Sequence, residues 1–156
     1  MIEIIEADLS IVAHGIAIIQ LMNEYALDPM GGGKGLSEYV KQNLVSELAK
    51  RKTAHVILSF IDGKPAGLLI GLEGFSTFAC KPLLNILDVM VSLPYRGQGL
   101  SKLLFQKADE IAVELGCCKR FYSYRFDRTG WFNHSRDRTN CRLSSSQNIE
   151  SQQHYW

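Results

Sequence analysis

The sequence predicts an α/β fold, and three features support that prediction. Apolar patterns occur in the order β-α-α-β-β-β-α along the chain. Asp62-Gly63 separates two β-rich runs, and this dipeptide is typical of a type I′ hairpin turn because both positions need positive φ. An amphipathic segment at residues 98–115 predicts a long helix after the last of these strands. The length of 156 residues indicates one domain.

The first part of the chain predicts a strand and two helices. Residues 1–7 alternate apolar and acidic side chains, as a half-buried strand does. We expect Asp8 or Ser10 to cap the next helix by accepting from an N–H of its first turn. That helix should end before Pro29, and Ser37 should cap the second helix.

Three more strands are predicted at residues 54–61, 66–73 and 86–91. Pro94 should end the last of them because proline cannot donate to a ladder. Gly116 should end the long helix, since glycine is the usual residue just past a helix C-terminus.

Composition divides the chain at residue 118. Residues 1–118 contain 41 Ile, Leu, Val and Met, whereas residues 119–156 contain two. The net charge is −3 in the first part and +4 in the second, which gives +1 for the whole chain. We therefore expect a core built from residues 1–118 and an atypical basic, polar tail at 119–156. A net charge of +1 does not indicate a basic surface over the whole chain, so a nucleic-acid partner is not expected.

Several classes of protein are not expected from this sequence. No apolar run is long enough for a membrane-spanning helix, and the acidic N-terminus does not resemble a secretory signal. The four cysteines form no CxxC pair, so neither a zinc site nor another metal site is predicted. An aliphatic core of this size favours reduced cysteines in a cytoplasmic protein over a disulfide framework.

The segment at residues 89–101 is where chemistry is predicted. It is a strand, a glycine-containing loop and the start of a helix. Gly97 and Gly99 allow successive N–H groups to point into one concavity, and the helix dipole adds positive potential there. Arg96 is expected to add a charge-assisted contact to a phosphate. This pattern predicts a pyrophosphate site; its alternative is a tight connection without a ligand.

The run from Tyr95 to Ser101, YRGQGLS, resembles the acyl-CoA-binding motif of the GNAT N-acetyltransferase superfamily, written R/Q-x-x-G-x-G/A. Ser101 replaces the last Gly or Ala with another small residue. The resemblance covers residues 1–118. It implies the acyl-CoA N-acyltransferase fold, a mixed, mostly antiparallel sheet flanked by helices, with C-terminal elements that are atypical or missing here.

The resemblance also implies how acetyl-CoA binds. The backbone of residues 89–91 would pair with the pantetheine arm like an added strand, and the N–H groups of residues 97–101 would hold the pyrophosphate. The expected cofactor-binding residues are Val89, Met90, Val91, Arg96, Gly97, Gln98, Gly99, Leu100 and Ser101.

The function that the resemblance implies is acetyl transfer from acetyl-CoA to a primary amine of a small molecule, peptide or protein, by direct attack. The alternative is a non-catalytic acyl-CoA-binding or interaction domain with an incomplete active site. A homodimer is a further possibility, because dimers are common in the family.

Asp88 is the first candidate for a general base because it interrupts an otherwise apolar strand. Its alternative role is a carboxylate on an exposed edge or hydrogen-bonded to backbone. Glu73 is a weaker candidate. Some family members carry a histidine or glutamate on the fourth strand, and Leu87 stands where a histidine would be expected.

The GGGKG run at residues 31–35 is not a P-loop, since Asp28 and Gly35 stand where that motif needs glycine and Ser or Thr. In the family this loop borders the acceptor site. Tyr25, Asp28 and Met30 are therefore candidates for shaping it, and the alternative is a plain connection.

Residues 119–126 are compatible with a fifth strand, and the remainder predicts no regular structure. Family members carry N-x-x-A-x-x-x-Y after that strand, but Asn133 is followed at those offsets by Arg136 and Asn140, so no catalytic tyrosine is assigned. Three interpretations of the tail remain open: a disordered segment, a nucleic-acid contact, and an out-of-frame read.

Overall fold

The computed structural model describes residues 1–124 and 132–133, with side chains at residues 1–118 except Met30. Six strands form one sheet whose order follows the sequence. The strands are β1 Ile2–Glu6, β2 Ala54–Ile61, β3 Lys64–Ser76, β4 Lys81–Val91, β5 Lys119–Tyr124 and β6 Phe132–Asn133. The helices are α1 Val12–Leu27, α2 Glu38–Ala49 and α3 Leu100–Glu114, with short 3₁₀ turns at Pro29–Gly31 and Leu93–Tyr95.

The sheet is mixed and mostly antiparallel, which confirms the predicted fold class. Strands β1 to β4 pair antiparallel with their sequence neighbours. Strand β5 pairs parallel to β4, because α3 carries the chain back across the sheet, and β6 pairs antiparallel to β5. The β2–β3 turn has φ of 49° at Asp62 and 75° at Gly63, as the type I′ prediction requires.

Helices cover both faces of the sheet. The α1–α2 face buries Ile18 and Leu21 of α1 against Leu58 and Ile70 of the sheet. The α3 face is a second cluster, to which successive turns of the helix contribute one apolar stripe. Its helical members are Leu104, Ala108, Ile111 and Ala112. Among the residues whose side chains the structure describes, both clusters are built mainly from aliphatic side chains.

The predicted helix ends are partly right. Ser37 caps α2 by accepting from the N–H of Val40 at 3.3 Å, as expected. The predicted cap of α1 is wrong: its N-cap is Ile11 and makes no side-chain cap bond. The carboxylate of Asp8 instead accepts from both the N–H and the hydroxyl of Ser10, which holds its pKa below the usual range.

The C-terminus of α3 ends as predicted at Gly116, whose φ is 69°. The N–H of Gly116 donates to Val113 and that of Cys117 donates to Ala112, which is a Schellman motif. The start of α3 lies two residues later than predicted, at Leu100, because Gly99 adopts the left-handed conformation and cannot belong to the helix.

Strands β3 and β4 are both longer than predicted. Together they extend as a hairpin beyond the end of β2, where Phe75 pairs with Pro82. This extension lacks the alternation of buried and exposed positions that marks a half-buried strand, so hydrophobic pattern does not reveal it.

Strand β5 occupies the first six residues of the predicted 119–126 strand. Phe132–Asn133 forms β6 within the segment for which the sequence predicts no regular structure. The predictions for residues 125–131 and 134–156 lie outside the described residues, and so do the three interpretations of the tail.

Candidate active site

A β-bulge in β4 divides this strand into two parts. Ile70 of β3 pairs with Asp88, whereas the next residue, Gly71, pairs with Ile86, so Leu87 is the extra residue. The bulge reverses the alternation of side chains. Ile86 packs on the α3 face, and Asp88 follows on the α1–α2 face, between Ile70 across the strand pair and Met90 along the strand.

The same point marks the end of the pairing with β5. The parallel ladder runs from Leu83↔Lys119 to Ile86↔Tyr122 and stops there. Within the described part of the chain, residues 87–91 of β4 therefore pair only with β3. An extended ligand such as a pantetheine arm fits an edge of this kind, because the edge offers unpaired N–H and C=O groups.

The open edge leads into the glycine loop at the N-terminus of α3. Gly97 and Gly99 have φ of 77° and 79°, and a Cβ at either position would meet no atom within 4 Å. Among the described residues, the backbone N–H groups of residues 97–101 have no hydrogen-bond acceptor. Unpaired N–H groups at the positive end of a helix dipole form an anion site.

Arg96 lies at the start of this loop, and two of the described residues accept hydrogen bonds from its guanidinium. Its Nε donates to the carbonyl oxygen of Val91 at 2.9 Å, and its Nη2 donates to the carboxylate of Asp28 at 2.7 Å. Glu24 lies beside this pair and accepts from the N–H of Leu93 at 3.1 Å. The end of α1 is therefore joined to the β4–α3 connection at two places.

Asp88 is half-buried, and burial raises its pKa above the ordinary value for an aspartate. It lies on the open part of β4, on the face that also carries α1. A carboxylate in this position is suited to accept a proton from a group that enters from the α1 side.

Glu73 lies elsewhere. It pairs with Leu84, whose side chain packs on the α3 face, so Glu73 and Asp88 are on opposite faces of the sheet. Burial, together with the charge of Glu73, raises the pKa of the Cys117 thiol to about 11, which keeps this thiol protonated and unreactive at neutral pH. The structure therefore does not bring Glu73 to the open edge.

The GGGKG loop folds back on the end of α1. The carbonyl of Asp28 accepts from the N–H groups of Gly31 and Gly33, and the side chain of Asn23 accepts from Leu36. A Cβ at Gly31 would lie 1.8 Å from the carbonyl oxygen of Tyr25, so this close approach requires glycine. The loop is thus a hydrogen-bonded cap on α1, adjacent to Arg96.

Other parts of the described structure offer less chemistry. An apolar groove of about 570 Å³ lies between the start of α1 and α2, lined by Ile16 and Val45 among others, but it holds no ionisable side chain. Residues 1–124 contain no cluster of His, Cys, Asp and Glu that would hold a metal ion. No helix among them is both long and apolar enough to cross a membrane.

Comparison with known families identifies the fold. The model of the acetyltransferase (GNAT) family matches residues 18–128. This chain belongs to the GNAT family. The match includes the glycine loop and α3, and it continues past residue 118 through β5. No curated protein sequence matches the chain significantly.

Solved structures share the GNAT fold. A possible acetyltransferase from Clostridium difficile 630 has 20% identity and a TM-score of 0.68, over 83% of this chain and 82% of that one. An aminoglycoside acetyltransferase from an uncultured soil sample, in complex with sisomicin, has 22% identity and a TM-score of 0.66, over 81% and 78%. A ribosomal-protein-alanine N-acetyltransferase from Brucella melitensis biovar Abortus 2308 has 17% identity and a TM-score of 0.63, over 78% of this chain and 79% of that one.

Two features of this GNAT site are not predicted by the sequence. The bulge at Leu87 has no local signal beyond the misplaced Asp88, whose polarity breaks the apolar run. The Arg96–Asp28 pair joins residues 68 positions apart, so it required the fold before it was visible.

Proposed function

We propose that this protein transfers an acetyl group from acetyl-CoA to a primary amine. One observation carries the proposal: the edge of β4 at residues 87–91, which no described strand covers, leads into the loop at residues 97–101, whose N–H groups have no acceptor among the described residues. The edge fits the amide-rich pantetheine arm, and the loop fits the pyrophosphate. Membership of the GNAT family supports the same donor.

In this proposal the backbone of Val89, Met90 and Val91 pairs with the pantetheine arm. The N–H groups of Gly97, Gln98, Gly99, Leu100 and Ser101 hold the pyrophosphate, with Arg96 at the start of their loop. The thioester carbonyl then lies near the open part of β4, where backbone N–H groups stabilise the oxygen as negative charge develops on it.

The amine attacks the thioester carbon directly, so that a C–N bond forms and the C–S bond breaks. Asp88 accepts the proton that the amine loses. It lies on the α1 face of the sheet, the same side as residues 28–35, which we call the acceptor loop. Residues 28–35 border the acceptor, which is a small molecule, peptide or protein amine. We assign no protein acid to the departing thiolate, which takes its proton from water.

The same proposal places the protein in the cytoplasm, where acetyl-CoA is available. Among the described residues, Cys80, Cys117 and Cys118 form no disulfide with one another, in keeping with the reduced cysteines expected there.

Two measurements test the proposal. Calorimetry should show acetyl-CoA binding, and a thiol-release assay over a panel of polyamines, aminoglycosides and peptides with free N-termini should show turnover with at least one amine. Binding without turnover on any amine would favour the non-catalytic acyl-CoA-binding domain. Absence of binding at high micromolar acetyl-CoA would contradict both.

A further inference from the structure

The position of Arg96 in the motif predicts a contact with a phosphate, but its side chain makes its hydrogen bonds to two other parts of the protein. Its guanidinium donates to the Val91 carbonyl at 2.9 Å and to the Asp28 carboxylate at 2.7 Å. Val91 is the last residue of the open edge, and Asp28 follows the last residue of α1. Arg96 therefore bridges the strand that would bind pantetheine and the helix that leads into the acceptor loop.

Asp28 is well placed to hold the guanidinium. Its side chain is only 14% exposed, whereas that of Arg96 is 46% exposed, so the carboxylate is the fixed partner. The carbonyl of Asp28 also accepts from Gly31 and Gly33, which fixes the acceptor loop to the same residue. Asp28 thus accepts from Arg96, at the start of the 97–101 loop, through its carboxylate, and from the acceptor loop through its carbonyl.

We propose that Arg96 is a positioning residue. Held by Asp28 and Val91, it fixes the glycine loop at residues 97–101 in its binding conformation and does not donate to the pyrophosphate. This inference rests on the proposed function. The phosphate is left to the N–H groups of residues 97–101, which have no other acceptor among the described residues. A loop held in advance loses less conformational freedom when the ligand binds.

Lysine distinguishes the two roles of Arg96. A lysine retains the charge and binds phosphate well as a point charge. It lacks the planar fork that lets arginine serve two acceptors in different directions. A phosphate ligand should therefore tolerate Arg96→Lys, and a bridge between Val91 and Asp28 should not.

The test is calorimetry of acetyl-CoA with wild type, Arg96→Lys, Arg96→Gln, Asp28→Asn and the double variant Arg96→Gln/Asp28→Asn. We expect each single variant to bind about tenfold more weakly, the lower end for a charged hydrogen bond because Arg96 is half-exposed. The affinity of the double variant for acetyl-CoA should be within about twofold of that of the weaker single variant, because both substitutions remove the same Arg96–Asp28 interaction. Arg51→Lys and Arg51→Gln, which alter a similar exposed pair with Glu47, should bind like wild type.

Two results would overturn the inference alone. In one, wild type binds while Asp28→Asn binds equally well or better and Arg96→Lys retains wild-type affinity, which would make Arg96 a phosphate ligand. In the other, none of the variants weakens binding. Failure of wild type to bind acetyl-CoA would instead overturn the proposed function, and this inference with it. Should Asp28→Asn not fold, as judged by its melting curve, the lysine and glutamine variants of Arg96 decide the question.

Discussion

The two halves of β4 differ in their neighbours. Residues 83–86 pair with β3 on one side and β5 on the other, whereas residues 87–91 have only β3 as a neighbouring strand among the described residues. The bulge at Leu87 separates them and turns Asp88 to the α1 face. We call residues 83–86 the closed half of β4 and residues 87–91, whose edge we propose as the ligand site, the open half. Substitutions beside the two halves should therefore affect different properties.

The largest effect is expected in the glycine loop that follows the open half, for Gly99→Val. Valine at φ of 79° must distort the loop, so acetyl-CoA should bind at least about a hundredfold more weakly, equivalent to roughly 2.7 kcal/mol. Gly63→Val is the matched control, because Gly63 has φ of 75° and equally open surroundings in the β2–β3 turn. Calorimetry of both variants should show weak binding only for Gly99→Val; equal affinities would contradict the loop assignment.

Asp88→Asn should lower kcat by about a hundredfold if Asp88 accepts the proton of the amine. Glu73→Gln, beside the closed half of β4, should leave kcat unchanged. A wild-type kcat for Asp88→Asn in the thiol-release assay would remove Asp88 from the mechanism.

The same Asp88 variant should become more stable at neutral pH. Because burial raises its pKa, the native chain binds the Asp88 proton more tightly than the unfolded chain does. The contribution of Asp88 to stability is therefore present at low pH and is lost as the pH rises through the raised pKa. Urea titration should show a gain for Asp88→Asn at about pH 7.5 that shrinks towards about pH 4. A gain that grows at acid pH would contradict the direction of the shift.

Two glycines of β3 provide the smallest and most selective comparison. Gly71 faces the closed half, where a Cβ would lie 3.1 Å from Leu84 Cδ1. Gly67 faces the open half, where a Cβ would lie 2.7 Å from Ser59 Oγ and 3.1 Å from the Met90 carbonyl oxygen. Alanine at either position should cost about 1–3 kcal/mol of unfolding free energy through overpacking.

Only Gly67→Ala should also weaken acetyl-CoA binding, by a few-fold, because it must displace backbone of the open half. Thermal unfolding and calorimetry on both variants measure the two effects. Loss of affinity in Gly71→Ala, or in neither variant, would contradict the division of β4.

The sequence predicts those parts of the fold whose signals are local. The Asp62-Gly63 turn, the Ser37 cap and the Gly116 stop each depend on a few adjacent residues, and the structure confirms all three. Apart from Leu84, the β3–β4 extension is exposed or half-buried, so its length does not follow from a hydrophobic pattern. The cap of α1 was misassigned because Asp8 binds Ser10 next to it, ahead of the helix.

For the candidate site, the glycine loop is visible in the sequence because positive φ requires glycine. The position of Asp88 and the partners of Arg96 are not visible, since they depend on a one-residue bulge and on a contact between distant segments. A sequence pattern does not show which strand edge remains without a partner strand. The proposed role of the open half of β4 depends on that edge, so it follows only from the structure.

Hydrogen exchange with and without acetyl-CoA tests the division of β4 most directly. Saturating acetyl-CoA should slow exchange in peptides covering residues 87–91 and 97–101, and should leave residues 83–86 unchanged, since these residues already have a partner strand on both sides. Equal protection of both halves, or protection confined to another part of the molecule, would contradict the account.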